Sequence, residues 1–314
     1  LSAIFSTTPV TAAVSVESFF RNLRRAGTFA KSSSTITVVP SAHPVSSRLS
    51  ISPASDTSLA PRGASFVFDT IVSFETAAVA APRTTRPLFE AEAAGLALRL
   101  AALPAGELER MLRVNPRIAA ENRRRYLAFH DAPQLPAIAA YTGVVFRHIA
   151  PAEFSPADFA YAQEHLSITS FLYGLLRPLD AIRPYRLEGS VAPPGEEAPN
   201  LFEWWRDRLT GPLIERVRRD DGVLVNLASA EMKRLFDWQR VCREVRVVTP
   251  EFRIREGDRM KTVVVYAKMC RGEMTRHILR HRIADPEGLK TFEWEGFRFD
   301  PERSRGDEPH FTLG

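Results

Sequence analysis

Three arginines, two carboxylates and two tyrosines fall within Tyr173–Glu188, a stretch that reads YGLLRPLDAIRPYRLE. A guanidinium fork grips a carboxylate or a phosphate through paired N–H donors. Arg177, Arg183 and Arg186 can therefore neutralise Asp180 and Glu188, or hold an anionic ligand. Leu175, Leu176, Leu179, Ile182 and Leu187 run between the charges and draw parts of the segment into a core. A charge buried there without a partner is strongly destabilising. One reading is thus a structural knot, in which the carboxylates pin a loop. The other is that two carboxylates cannot saturate three forks, which leaves donors for a phosphate. The two readings are compatible.

A second basic group, Lys268, Arg271 and Arg276, stands where an apolar run turns into a helical pattern, a common place for a phosphate site. The glycines there form neither a P-loop nor a dinucleotide fingerprint. A third group lies in MLRVNPRIA and the residues after it: Asn115, Arg117, Arg123 and Arg124. Here one helix stops at Asn115-Pro116, and the next starts with basic residues. The pattern resembles helix-hairpin-helix DNA-binding elements, in which hairpin amides and a helix start grip phosphates without reading bases. Asn115 stands where such hairpins usually carry glycine. A plain helical hairpin with a solvated arginine face is the alternative.

Tyr185, Glu188, Asn226, Ser229 and Glu231 are polar side chains at expected strand ends and loop junctions, suited to acid–base or orienting work in a pocket. His277 and His281, four apart on a helix, have the spacing of a shared metal site, but no metalloprotease-like signature surrounds them. We expect solvated edge histidines and no metal. Cys270 has no resolving cysteine near it and reads as a buried thiol. Tyr173, Trp204, Trp205 and Trp238 have core-like spacings.

The chain that must position these groups has 314 residues and 45% hydrophobic content, enough for one large domain or two small ones. No run approaches the roughly 20 apolar residues of a membrane helix. Two cysteines make neither a disulfide scaffold nor a cysteine zinc site, and a cytoplasmic setting is expected. Net charge is +5, but residues 1–86 hold eight Lys/Arg against four Asp/Glu, leaving 34 against 33 beyond. Bulk charge therefore says nothing of a partner. Only local clustering does.

Residues 1–86 are rich in Ser, Thr, Ala and Pro without sustained periodicity, and are expected to be irregular or disordered. An Arg/Ser-rich, acid-poor start also suits an organellar transit peptide, although the apolar run Phe66 to Phe74 fits that poorly. Residues 87–314 are expected to form one compact domain. Helices are expected at Leu88 to Ala102, Glu107 to Val114, Arg117 to Phe129 and Pro156 to Thr169. Ala137 to Phe146 suggests a strand pair about Thr142-Gly143. Aromatic helices through Trp204 and Trp205 lead to a short strand, Val223 to Asn226, with Ser229 capping the helix that follows. Glu244 to Thr249 and Thr262 to Tyr266 read as strands bracketing a hairpin at Glu256-Gly257-Asp258. A helix from about Gly272 to Arg282 and a last strand, Phe292 to Phe299, complete the pattern.

In order and spacing, YGLLRPLD, PYRLE, the NLAS element with Glu231, and YAKMCRGEMTR resemble the YaaA-type peroxide-stress response family over about residues 86–314. The resemblance implies an α+β fold, a single compact domain with a mixed β core surrounded by helices. It implies a helix-hairpin-helix-like element, a basic cleft and binding to duplex DNA. It also implies a cytoplasmic bacterial role in limiting peroxide damage, associated with keeping free iron low. Family members begin with a strand and a Ser-x-Ala-Lys-Thr element; the nearest string here, Ile51 to Thr57, has no lysine. Two functions follow. The first is a sequence-tolerant DNA-binding stress protein, monomeric and without cofactor. Asn115, Arg117, Arg123, Arg124, Arg177, Arg186, Lys268, Arg271 and Arg276 would supply its phosphate contacts. The second is an enzyme acting on a nucleotide or phosphorylated small molecule in the same cleft.

Overall fold

The computed structural model describes residues 65–68 and 83–314. They form an α+β domain built on two five-stranded sheets and a two-stranded ribbon. Strand β1 (Ser65–Phe68) comes first, and Thr85 then bridges to Asp180. Both lie before the boundary expected at residue 86, and both pair with elements beyond it. The rest of residues 1–82, including the string at Ile51 to Thr57, lies outside the described residues.

Helix α1 (Glu90–Ala102) buries Ala93, Leu96, Ala97 and Leu100, one face at helical spacing, and carries Glu90 and Glu92 in its first turn. Leu103-Pro104 ends it. Helix α2 (Ala105–Leu112) closes on Arg113 in the left-handed region at φ 52°. Helix α3 (Pro116–Leu127) begins at once: Asn115 caps it, its Oδ1 accepting the Ile118 N–H at 2.9 Å, and Pro116 takes the first turn.

The expected strand pair at Ala137 to Phe146 is a correction. After β2 (Leu135–Pro136) the chain forms two short helices, α4 (Ala137–Ala140) and α5 (Val144–Ile149). Residues 136–141 are all buried, and a continuous apolar run carries no period to separate helix from strand. The free amides of Ala137 and Ile138 bond to the carbonyls of Asp180 and Pro178, which anchors α4 on the central stretch. Helix α6 (Pro156–His165) opens on a Ser155/Asp158 capping box. It ends four residues short of the expected Thr169, because Leu166–Ser170 form the fully buried strand β3. Strands β4 (Gly174–Leu176) and β5 (Ala181–Ile182) follow, then α7 (Leu201–Arg219), capped by Asn200.

Strand β6 (Val223–Asn226), α8 (Ala230–Lys233), α9 (Trp238–Glu244) and β7 (Arg246–Val248) come next, and β8 (Glu251–Glu256) and β9 (Arg259–Lys261) form the expected hairpin. Helix α10 (Val264–His281) begins eight residues before the expected Gly272 and absorbs most of the expected strand at Thr262 to Tyr266. Val264 and Val265 are exposed, and the buried face of the helix begins only at Ala267, so the β-branched run itself does not set the state. At Gly272, α10 meets α5 so closely that a Cβ would lie 2.3 Å from the Val145 carbonyl oxygen. Strands β10 (Glu293–Trp294), β11 (Phe297–Arg305) and β12 (Glu308–Leu313) close the chain, three strands where one was expected.

The first sheet has the order β4-β3-β1-β6-β7, with β3, β1, β6 and β7 parallel and β4 antiparallel to β3. The chain steps from β1 outward to β3 on one side, and from β6 outward to β7 on the other. The strand order therefore reverses between β1 and β6, and such a switch point opens a crevice at the carboxyl ends of the strands. The second sheet has the order β10-β11-β12-β8-β9, and β2 pairs with β5.

Candidate functional site

In the central stretch, one carboxylate is buried and the other is not. Asp180 is 1% exposed. It accepts the Thr85 hydroxyl at 2.6 Å, the Arg177 backbone N–H at 2.8 Å and the Arg177 guanidinium at 3.4 Å. Gln163 braces the same loop, its Nε2 donating to Thr85 Oγ1 at 3.0 Å and its Oε1 accepting from Leu179 N at 2.7 Å. This is a knot in the sense expected, with a threonine and a glutamine added.

Arg177 points away from the crevice. Leu176 pairs with Ile168, so the next residue lies toward the amino end of β3. There it stands near Arg216, an α7 side chain that sequence reasoning missed. Arg216 donates to the carbonyls of Gln163 and Glu164 at 2.9 Å each and of Leu166 at 3.3 Å. Burial, then the nearby Arg177 charge, hold its pKa below the ordinary arginine value. The signal was available: Arg216 continues the buried face of Leu209 and Leu213.

At the carboxyl end of β3 the polar groups are hydroxyls. Tyr185 OH lies 2.7 Å from Ser170 Oγ and 2.9 Å from Tyr141 OH, and Ser170 Oγ accepts the Tyr173 N–H at 2.9 Å. Burial pushes the Tyr185 phenol up to about 12 and raises Tyr141, Tyr173 and Tyr126 as well. At neutral pH these phenols keep their protons and act as hydrogen-bond donors rather than bases. Asn226 ends β6, its Oδ1 accepting from Ala228 N at 3.2 Å and its Nδ2 lying 3.4 Å from Thr249 Oγ1. Ser229 caps α8, and Glu231 is exposed on its first turn. Glu188 is half-exposed and accepts from Arg186 at 3.1 Å.

The hairpin sits on this stretch. Tyr126 OH donates to the Arg186 carbonyl at 2.6 Å, and Arg183 lies over the Phe129 ring at 5.3 Å while donating to the His130 carbonyl. The structure therefore brings α3 and Arg186 together. Arg117 and Arg124 are exposed, with no ion-pair partner among the described residues, whereas Arg123 is committed through Nε to the Leu103 carbonyl at 2.9 Å. Lys268, Arg271 and Arg276 share α10, and Arg276 is paired with Glu153. Among the expected phosphate contacts, three settings result: the hairpin with Arg186, the Asp180 knot with Arg177, and α10. Cys270 is fully buried and its thiol is pushed up by desolvation, so it is no reactive cysteine. Among the described residues, no three His, Cys, Asp or Glu side chains converge as metal ligands.

Fold and site define an α+β protein with a switch-point sheet and a basic helical hairpin; among its described residues no helix is long and apolar enough to cross a membrane. The chain belongs to the family described as peroxide stress protein YaaA, whose family model matches residues 49–303 and so includes β1. A UPF0246 protein of Bacteroides thetaiotaomicron is 58% identical over 224 residues, covering 71% of this chain and 87% of that relative. A UPF0246 protein of Porphyromonas gingivalis is 48% identical, covering 73% and 90%. One of Bordetella petrii is 36% identical, covering 71% and 89%.

Proposed function

We propose that the chain acts in the cytoplasmic peroxide-stress response as a monomer that binds duplex DNA through its phosphates, with little sequence preference, and limits peroxide- and iron-dependent damage. The observation that carries this reading is the pair Arg117 and Arg124, exposed on one helix and without carboxylate partners among the described residues. Seven residues apart on a helix, they stand about 10 Å from each other on nearly the same face. That spacing suits a backbone that presents one negative charge per roughly 1.7 Å of duplex axis. The hairpin before α3, with Asn115 as its cap, is similar to helix-hairpin-helix elements, and the Arg186 backbone carbonyl is bonded to α3 through Tyr126. Fluorescence anisotropy on several unrelated duplexes at two salt concentrations tests the reading. Micromolar or weaker binding with a steep salt dependence is expected; about a tenfold preference for one sequence, or no salt dependence, overturns it.

A second reading, an enzyme acting on a nucleotide or phosphorylated small molecule, is favoured by the reversal of strand order between β1 and β6, with Asn226 at the β6 end. Turnover of such a compound that is lost in Asn226→Ala at unchanged melting temperature would carry it over the first.

A further inference from the structure

Arg276, His277, Arg280 and His281 follow one another on α10 at i, i+1, i+4 and i+5, which gathers four nitrogen-bearing side chains on one side of the helix. Phe292, Glu293 and Trp294 face them across a groove of about 420 Å3, the size of a small-molecule site. The lining holds two arginines and two glutamates, and the pairing divides them unevenly. Arg276 and Arg280 both reach Glu153, the latter at 3.7 Å, so one carboxylate serves two forks. Glu273, also in the lining, is held by His148 Nδ1 at 2.9 Å, and Glu293 faces Arg298 across the β10–β11 pair. Arg280 and His281 are exposed and retain donors. The opposite wall is aromatic and braced: Trp294 lies nearly parallel to Phe297, at 15° with centroids 6.3 Å apart, and is edge-on to His148. His277 is positioned by Thr291 Oγ1 at 3.0 Å.

Guanidinium and imidazole donors opposite a braced indole are the chemistry that recognises a phosphate joined to a flat heteroaromatic ring. We propose that this groove binds a nucleoside phosphate, with Arg280 and His281 on the phosphate and Trp294 against the base. The groove is on a different helix from the hairpin, so this site and the DNA reading stand or fall separately.

Isothermal titration of the full chain with adenosine 5′-monophosphate, adenosine and inorganic phosphate tests it. The nucleotide is expected to bind at least about tenfold more tightly than either fragment. Arg280→Gln and His281→Gln, both at exposed positions, should each weaken it about fivefold or more with the circular dichroism spectrum and melting temperature unchanged. Arg117→Ala should leave it unaltered. The proposal is overturned by no saturable nucleotide binding up to about 1 mM. It is equally overturned by inorganic phosphate binding as tightly as the nucleotide, or by affinity that neither substitution moves.

Discussion

The Asp180 carboxylate is held by the backbone amide of its own loop and by the hydroxyl of the distant Thr85. That a carboxylate in the central stretch must pair with an arginine was legible from the charges alone. Which carboxylate is buried was not, because Thr85 and Gln163 decide it and stand 95 and 17 positions away in the chain. Arg177 is also a lesser partner than the charges alone imply, since its side chain is 40% exposed and its contact is 3.4 Å long. The Thr85 hydroxyl and the Arg177 backbone amide are the closer donors. Asp180→Ala strands both and is expected to cost about 3 kcal/mol or more, whereas Arg177→Met should cost about 1 kcal/mol, discounted for solvent screening. Urea denaturation of the two variants gives the order. Equal losses would mean that the guanidinium, and not the hydroxyl and amide, holds the carboxylate. Arg216 was passed over for a related reason. An arginine on an apolar helix face suggests snorkelling, and only the tertiary fold brings three carbonyls to it.

At the scale of elements, caps and breakers were the readable signals. Asn115-Pro116, Ser229 and the turn at Glu256-Gly257-Asp258 mark real boundaries, because each acts within a few residues of itself. Apolar runs without a period were not readable: Ala137 to Ala140 is buried and helical, whereas Val264 and Val265 are exposed in the first turn of α10. The hairpin was legible as a hairpin, but the division of labour among its arginines needed Leu103, whose carbonyl takes Arg123. This yields a comparison between variants. Arg117→Ala combined with Arg124→Ala is expected to weaken duplex binding by roughly 1–3 kcal/mol with little change in melting temperature. Arg123→Ala should lower stability by about 1 kcal/mol and affect DNA binding less. Anisotropy and thermal melts on both variants check the pair. A double variant that melts early would place Arg117 or Arg124 in a packing role.

For the whole molecule, the buried phenols impose a limit at alkaline pH. A phenol whose pKa is raised on folding keeps its proton in the folded chain after the unfolded chain has lost it. The stability it contributes is complete below pH 10 and disappears as pH rises from 10 to about 12, the folded value for Tyr185. Two units correspond to about 3 kcal/mol for this residue, with Tyr126, Tyr141 and Tyr173 shifted in the same direction. Urea midpoints measured across that window should fall steeply, and less steeply in Tyr185→Phe; an unchanged slope would show that the hydroxyl cluster does not couple to folding. The order of assembly follows from β1 in turn. This strand precedes all the others in the described chain yet occupies the middle of the first sheet, with β3 on one flank and β6, more than 150 residues later, on the other. As the chain leaves the ribosome, the β6 flank of β1 stays open until most of the domain has been synthesised. An open strand edge is a template for joining another chain, so this nascent domain passes through a prolonged aggregation-prone stage that ends only when β6 docks.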